Sequence, residues 1–204
     1  MKKNIFVALD FSNFDKALDV ANQVKNDAAG LKITNELFAI CGKEGLKKLA
    51  GFGLEIFLDL KIHDVPNTVK KTVASIASLK TTKYLTVHTS GDYEMLKAAQ
   101  EAAAGSIELL GVTVLTSQSD LQNIGIKNSI KDQVKLLVNL AIKSKIAGVI
   151  ASAQDFELVR SLSKDLKIFC PGIRGDEDKK HDQKRVMGYA DFSKIADDKC
   201  FAVI

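Results

Sequence analysis

Residues 55–79 read EIFLDLKIHDVPNTVKKTVASIASL. The stretch opens with seven residues, 55–61, in which apolar side chains dominate and charge returns at Asp59 and Lys61, the pattern of a strand with one face turned toward polar partners. Asp64 then stands two residues before Pro66, a pairing suited to the start of a helix, where proline's fixed φ and missing N–H cost nothing. Over 69–79, Val69, Val73, Ile76 and Leu79 recur at three- and four-residue steps, which predicts an amphipathic helix. One strand, a charged turn and one helix make a single β/α unit.

The same unit repeats along the chain. Strand-like runs fall at 5–10, 30–34, 84–90, 109–115, 148–152, 167–171 and 200–204, with helical patterns such as 14–25, 93–104, 130–143 and 155–162 between them. Eight strands alternating with helices predict an α/β protein with a parallel sheet, closed as a (β/α)₈ TIM barrel. An open doubly wound sheet is the alternative, but it uses fewer strands and a glycine-rich turn after the first one. Here the first strand ends Asp10-Phe11-Ser12-Asn13, without glycine. No linker or low-complexity segment divides the chain, so residues 1–204 are expected to form one domain.

Composition narrows the function classes. A hydrophobic fraction of 46% and a charged fraction of 26% exclude a disordered or collagen-like chain. No apolar run approaches the ~18 residues of a membrane span. The apolar run after Met1-Lys2-Lys3 is too short for a secretory signal, which points to the cytoplasm. The net charge is +4, but Arg160, Arg174 and Arg185 are the only arginines and the lysines are scattered, so no nucleic-acid surface is expected. A mildly positive field suits an anionic small substrate. Cys41, Cys170 and Cys200 have neither disulfide-framework nor zinc-ligand spacing.

In a barrel the chemistry sits at the C-terminal ends of the strands. Asp10, Lys32, Asp59, Lys61 and His88 fall at such ends, and Thr116 follows the fifth strand. Alternation puts Asp59 and Lys61 on one face, aimed into the barrel mouth, with Lys32 within reach from the neighbouring strand. The residues alone admit three readings: a catalytic array, a salt-bridge cluster that pins the barrel end, and a divalent-metal site on Asp59, His63 and Asp64. The interposed lysine argues against the metal, because an ammonium already supplies the positive charge. A further segment, 172–185, reads GIRGDEDKKHDQKR and carries no apolar residue after Ile173. It is either a solvated loop or a lid over an anionic ligand.

The run Asp59-Leu60-Lys61-Ile62-His63-Asp64-Val65-Pro66-Asn67-Thr68 resembles the signature of the orotidine 5′-monophosphate decarboxylase family, in its short bacterial form. The DxKxxD core is shared with sister families; the HDxPNT continuation is far more specific. Matches continue in order through Val7-Ala8-Leu9-Asp10, Lys32 with Glu36-Leu37-Phe38, Val87-His88 with Gly91, Leu115-Thr116-Ser117, Pro171-Gly172-Ile173-Arg174 and Asp182-Gln183-Lys184-Arg185-Val186. Departures are Thr34 and Asp92 where the family usually has glycine, and Gly188-Tyr189 where it commonly has Thr-Pro.

The resemblance implies decarboxylation of orotidine 5′-monophosphate to uridine 5′-monophosphate without metal or other cofactor. It implies that Lys61 stabilises and protonates the C6 carbanion, that Asp59 lies beside the substrate carboxylate, and that Asp10 and Lys32 bind the ribose hydroxyls. It further implies a homodimer in which Asp64 and Thr68 reach the partner's site. Thr116, Ser117 and Pro171 would contact the pyrimidine; Arg174 and Gln183 would belong to the lid, with Gln183 on the phosphate. The family also carries a Gly-Arg pair after its eighth strand, whereas this chain stops at Val203-Ile204. The expectation is that the eighth helix is missing and that the natural protein runs about 20–25 residues longer, since a helix normally follows each strand.

Overall fold

In the computed structural model, which describes residues 4–175 and 184–204, the strand-like runs become β1 (Ile5–Ala8), β2 (Gly30–Thr34), β3 (Glu55–Ile62), β4 (Tyr84–His88), β5 (Glu108–Val112), β6 (Gly148–Ile150) and β7 (Lys167–Pro171), followed by short β8 (Ile173–Arg174) and β9 (Met187–Gly188) and by β10 (Cys200–Val203). Eight of them close a barrel in the order β1-β10-β7-β6-β5-β4-β3-β2, and every pair is parallel. The helices are α1 (Phe14–Val24), α2 (Asn35–Ala50), α3 (Pro66–Ser78), α4 (Asp92–Ala103), α5 (Ile130–Lys143), α6 (Phe156–Leu162) and α7 (Tyr189–Ile195). Among the described residues, seven helices thus serve eight barrel strands, and β10 is the last element.

Local chemistry sets the helix starts. Asn13 caps α1 by accepting the Lys16 N–H at 3.1 Å, and Ser129 does the same for Asp132 on α5. Pro66 opens α3 three residues ahead of the first apolar position in the helical pattern, as its preset φ favours. Asp92 stands at φ 70°, ψ 179°, a region otherwise almost reserved for glycine. Its carboxylate accepts the N–H groups of Glu94 and Met95, so the cap offsets the backbone strain.

The barrel interior is filled in layers. Phe6, Phe57, Leu110 and Phe169, from β1, β3, β5 and β7, are buried together, the alternate-strand layering of a TIM barrel. Their rings meet edge-on or tilted at centroid distances of 5.1–6.1 Å. Gly30 makes this possible: a Cβ there would lie 2.3 Å from the Phe6 ring and 2.4 Å from the Glu55 carbonyl oxygen. Below the layer, at the N-terminal ends of the strands, Lys167 and Lys83 both bond Glu108, at 2.5 and 2.7 Å. Burial alone would raise the Glu108 carboxyl's pKa, but the two lysines outweigh it and hold the group below its ordinary value. The C-terminal strand ends lie at the opposite mouth.

Strand is also present on either side of residues 176–183. β8 and β9 pair in parallel, Ile173 with Met187 and Arg174 with Gly188, a short ribbon outside the barrel that the charged sequence did not signal. Strand ends also move inward from the sequence reading: β1 stops at Ala8 and β5 at Val112, so Asp10 and Thr116 sit on loops above their strands.

Candidate active site

The mouth of the barrel holds a line of alternating charge. Asp10 and Lys32 are joined at 3.2 Å, Lys32 stands 4.0 Å from Asp59, and Asp59 Oδ2 receives the Lys61 ammonium at 2.6 Å. Asp59 is only 7% exposed, and its second oxygen accepts the Thr86 hydroxyl at 2.9 Å. A buried carboxylate flanked by two ammonium groups and a hydroxyl is fully satisfied, which is what allows it to be buried.

Strand alternation is not what aims Lys61. The β3–β4 ladder runs Phe57 to Tyr84 and Leu58 to Leu85, then resumes at Ile62 with Val87. Three residues of β3, Asp59 to Lys61, therefore face one residue of β4, and Lys61 adopts φ 48°. The bulge turns the Lys61 side chain back onto Asp59.

Beside the array lies a cleft with about 570 Å³ of atom-free space, its open mouth included. Lys32, Asp59 and Lys61 occupy one side, and Phe57, Val112, Val114, Ile150, Ala151 and Val203 form an apolar wall. Leu115, Thr116 and Pro171 complete the lining. One side fixes charge and the other excludes water, so an ammonium here acts on a ligand with little screening.

A family model for orotidine 5′-phosphate decarboxylase and the HUMPS proteins matches residues 3–198. The chain belongs to this family. Proteins named orotidine 5′-phosphate decarboxylase that resemble it include one from Ehrlichia chaffeensis, 42% identical over 192 residues and covering 92% of this chain and 82% of the relative. Another, from Wolbachia pipientis, is 42% identical over 183 residues, covering 86% and 80%. Among solved structures, an orotidine 5′-phosphate decarboxylase from Lactobacillus acidophilus superposes with a TM-score of 0.82 at 28% identity, over 98% of this chain and 89% of that one.

With the family known, the residues expected from the sequence can be located. Asp10, Lys32, Asp59 and Lys61 form one array, and Thr116 and Pro171 line the cleft beside it. Ser117 is exposed and does not line the cleft. Asp64 and Thr68 are exposed on the start of α3, and the Asp64 carboxylate accepts the Val65 N–H at 2.7 Å; it takes no part in this chain's own array. Nor does it converge with Asp59 and His63: among the described residues no three His, Cys, Asp or Glu side chains group closely enough to hold a metal ion. Arg174 lies on β8, and Gln183 lies outside the described residues.

His88, which closes β4, does not line the cleft; its ring sits 5.4 Å from that of His63. Burial, then His63 and the Lys61 ammonium, hold its imidazole below the ordinary value, against a weaker opposing pull from Asp59. A lowered folded-state pKa means the unfolded chain takes up this proton first. Stability is therefore expected to fall as pH drops below ~6.5, by at most about 1.4 kcal/mol per pH unit for this one proton. Denaturant titrations of wild type and His88→Gln from pH 7 to 5 check this; parallel pH profiles would refute it.

Sequence reasoning missed a second buried pair. Arg185 bonds Asp155 at 2.6 Å and the Val114 carbonyl at 2.7 Å, while the Lys184 and Arg185 N–H groups both reach the Thr116 carbonyl. Arg185 thus fastens the end of the charged segment to the loop that lines the cleft. Burial pushes the Asp155 carboxyl above its ordinary value even though Arg185 pulls it down. Asp155→Ala is expected to cost roughly 3 kcal/mol, because it leaves a buried guanidinium uncompensated. A melting temperature lowered by roughly 6–12 °C is the expected readout, and an unchanged one would show the pair to be dispensable.

Proposed function

We propose that the chain performs its family's reaction, release of CO₂ from C6 of orotidine 5′-monophosphate to give uridine 5′-monophosphate, with Lys61 as the group that meets the developing carbanion. The observation that carries this is the Lys61 ammonium held 2.6 Å from the buried Asp59 at the edge of an apolar cleft. Breaking the C6–carboxylate bond leaves an electron pair in the ring plane, where the pyrimidine offers no conjugated sink. A preorganised ammonium stabilises that pair by charge, in surroundings where charge is poorly screened. It then gives a proton to C6, leaving a neutral amine that solvent reprotonates.

The remaining roles are those the family resemblance implies. Asp10 and Lys32, paired at 3.2 Å, offer an acceptor and donors to the ribose hydroxyls. Thr116 and Pro171 contact the pyrimidine, Arg174 belongs to the lid, and Gln183 touches the phosphate. The exposed ridge of Asp64, Val65 and Thr68, with Val65 62% exposed, suits a homodimer in which Asp64 and Thr68 complete the partner's site. The reading includes residence in the cytoplasm, in keeping with three cysteines held as thiols. No helix among the described residues is long and apolar enough to cross a membrane.

Following the pyrimidine ultraviolet band of orotidine 5′-monophosphate in EDTA tests the reading. Turnover that survives the chelator supports it. Turnover lost with EDTA and restored by Mg²⁺ would refute a metal-free reaction, and no turnover of orotidine 5′-monophosphate with or without metal would refute the substrate.

A further inference from the structure

We propose that Thr86 is a positioning residue for this reaction, its single hydroxyl fixing both the Asp59 carboxylate and the Lys61 backbone. The inference rests on the function proposed above. β4 reads Tyr84-Leu85-Thr86-Val87-His88, and Thr86 faces inward at the level where the array begins, fully buried. At such a position an apolar β-branched residue of the same shape would be the default filler. The hydroxyl is instead used in both senses open to it: it donates to Asp59 Oδ1 at 2.9 Å and accepts the Lys61 N–H at 2.8 Å.

Its place in the ladder explains why both bonds matter. Thr86 is the one β4 residue opposite the three-residue bulge of β3, so its side chain receives an N–H that the regular ladder has released. Lys61 is held at φ 48°, a conformation that persists only where the surroundings impose it. The same hydroxyl orients the Asp59 carboxylate so that its other oxygen meets the Lys61 ammonium. Lys61 is thereby held from both ends, its backbone by Thr86 and its ammonium by Asp59, which Thr86 also aims. A shift of about 1 Å in a catalytic group is enough to lower turnover ~100-fold.

The test compares wild type, Thr86→Val and Thr86→Ser by steady-state decarboxylation. Thr86→Val is expected to lose roughly 10–100-fold in kcat, with KM changed no more than about threefold. Thr86→Ser should restore kcat. In the Asp59→Asn background, Thr86→Val should cost clearly less than it does alone, since part of its effect runs through Asp59.

A Thr86→Val enzyme with wild-type kcat overturns the inference. So does a folded Thr86→Ser that is as impaired as Thr86→Val, which would credit packing rather than the hydroxyl. Should valine prevent folding, Thr86→Ala carries the same expectation, and failure of both to fold while serine folds would assign the hydroxyl to stability alone and refute the proposal. A wild-type protein inactive on orotidine 5′-monophosphate would instead strike the function reading and take this inference with it.

Discussion

Lys61→Ala is expected to lower kcat by roughly 10⁴-fold or more while leaving a folded barrel. Two contributions disappear together: charge stabilisation of the carbanion, of order 10²–10³, and proton delivery, of order 10²–10⁴. They reside in one group and do not simply multiply. The fold should survive because Lys61 is about one-third exposed and Asp59 keeps Thr86 at 2.9 Å and Lys32 at 4.0 Å. Lys61→Arg separates the two roles. A guanidinium retains the positive charge but gives up its proton far too reluctantly to serve as an acid. It should therefore bind the anionic substrate and still fail to turn it over. If Lys61→Ala retained wild-type turnover in the ultraviolet assay, another group would have to be the proton donor.

How much of this site the sequence discloses depends on the range of the interaction. The barrel is legible because periods of 2 and 3.6 residues are local, and eight alternations leave little else for the chain to do. The grouping of Lys32, Asp59 and Lys61 is legible for a similar reason, since adjacent parallel strands bring their ends together. The conformation of Lys61 is not legible. Nothing in Leu60-Lys61-Ile62 signals a positive φ; it depends on a hydroxyl 25 residues away on the next strand. Asp64 stands three positions from Lys61 in the sequence, and the turn into α3 carries it to the surface, away from this chain's own array. The apolar wall of Val112, Ile150 and Val203 reads as ordinary core because those residues are core up to the last layer, where the filling stops and the cleft begins. The clasp of Arg185 on Asp155 spans 30 residues and has no periodic signal at all.

Asp59→Asn is expected to lower kcat by about 10²–10³-fold, as loss of a preorganised electrostatic element does, and its effect on KM decides what Asp59 contributes. The change removes a charge that is 7% exposed and sits between two ammonium groups. Breaking such a pair costs 3–5 kcal/mol when both partners are buried; with Lys61 one-third exposed, roughly 2–3 kcal/mol is expected. The melting temperature should then fall by roughly 4–12 °C. Two mechanisms predict the same drop in kcat. If Asp59 only aims the Lys61 ammonium, substrate affinity should stay level or weaken when the carboxylate is lost. If it also repels the substrate's own carboxylate, the variant presents two ammonium groups and no opposing anion, so orotidine 5′-monophosphate should bind more tightly as it reacts more slowly. The second outcome is expected, because the 2.6 Å contact uses Asp59 Oδ2 and the cleft beside it is where a C6 carboxylate would have to lie. Uridine 5′-monophosphate has no such carboxylate and serves as the control. Its affinity, measured by calorimetry, should change far less than the KM for substrate. Equal tightening of both ligands, or no tightening of either, would reduce Asp59 to a holder of Lys61.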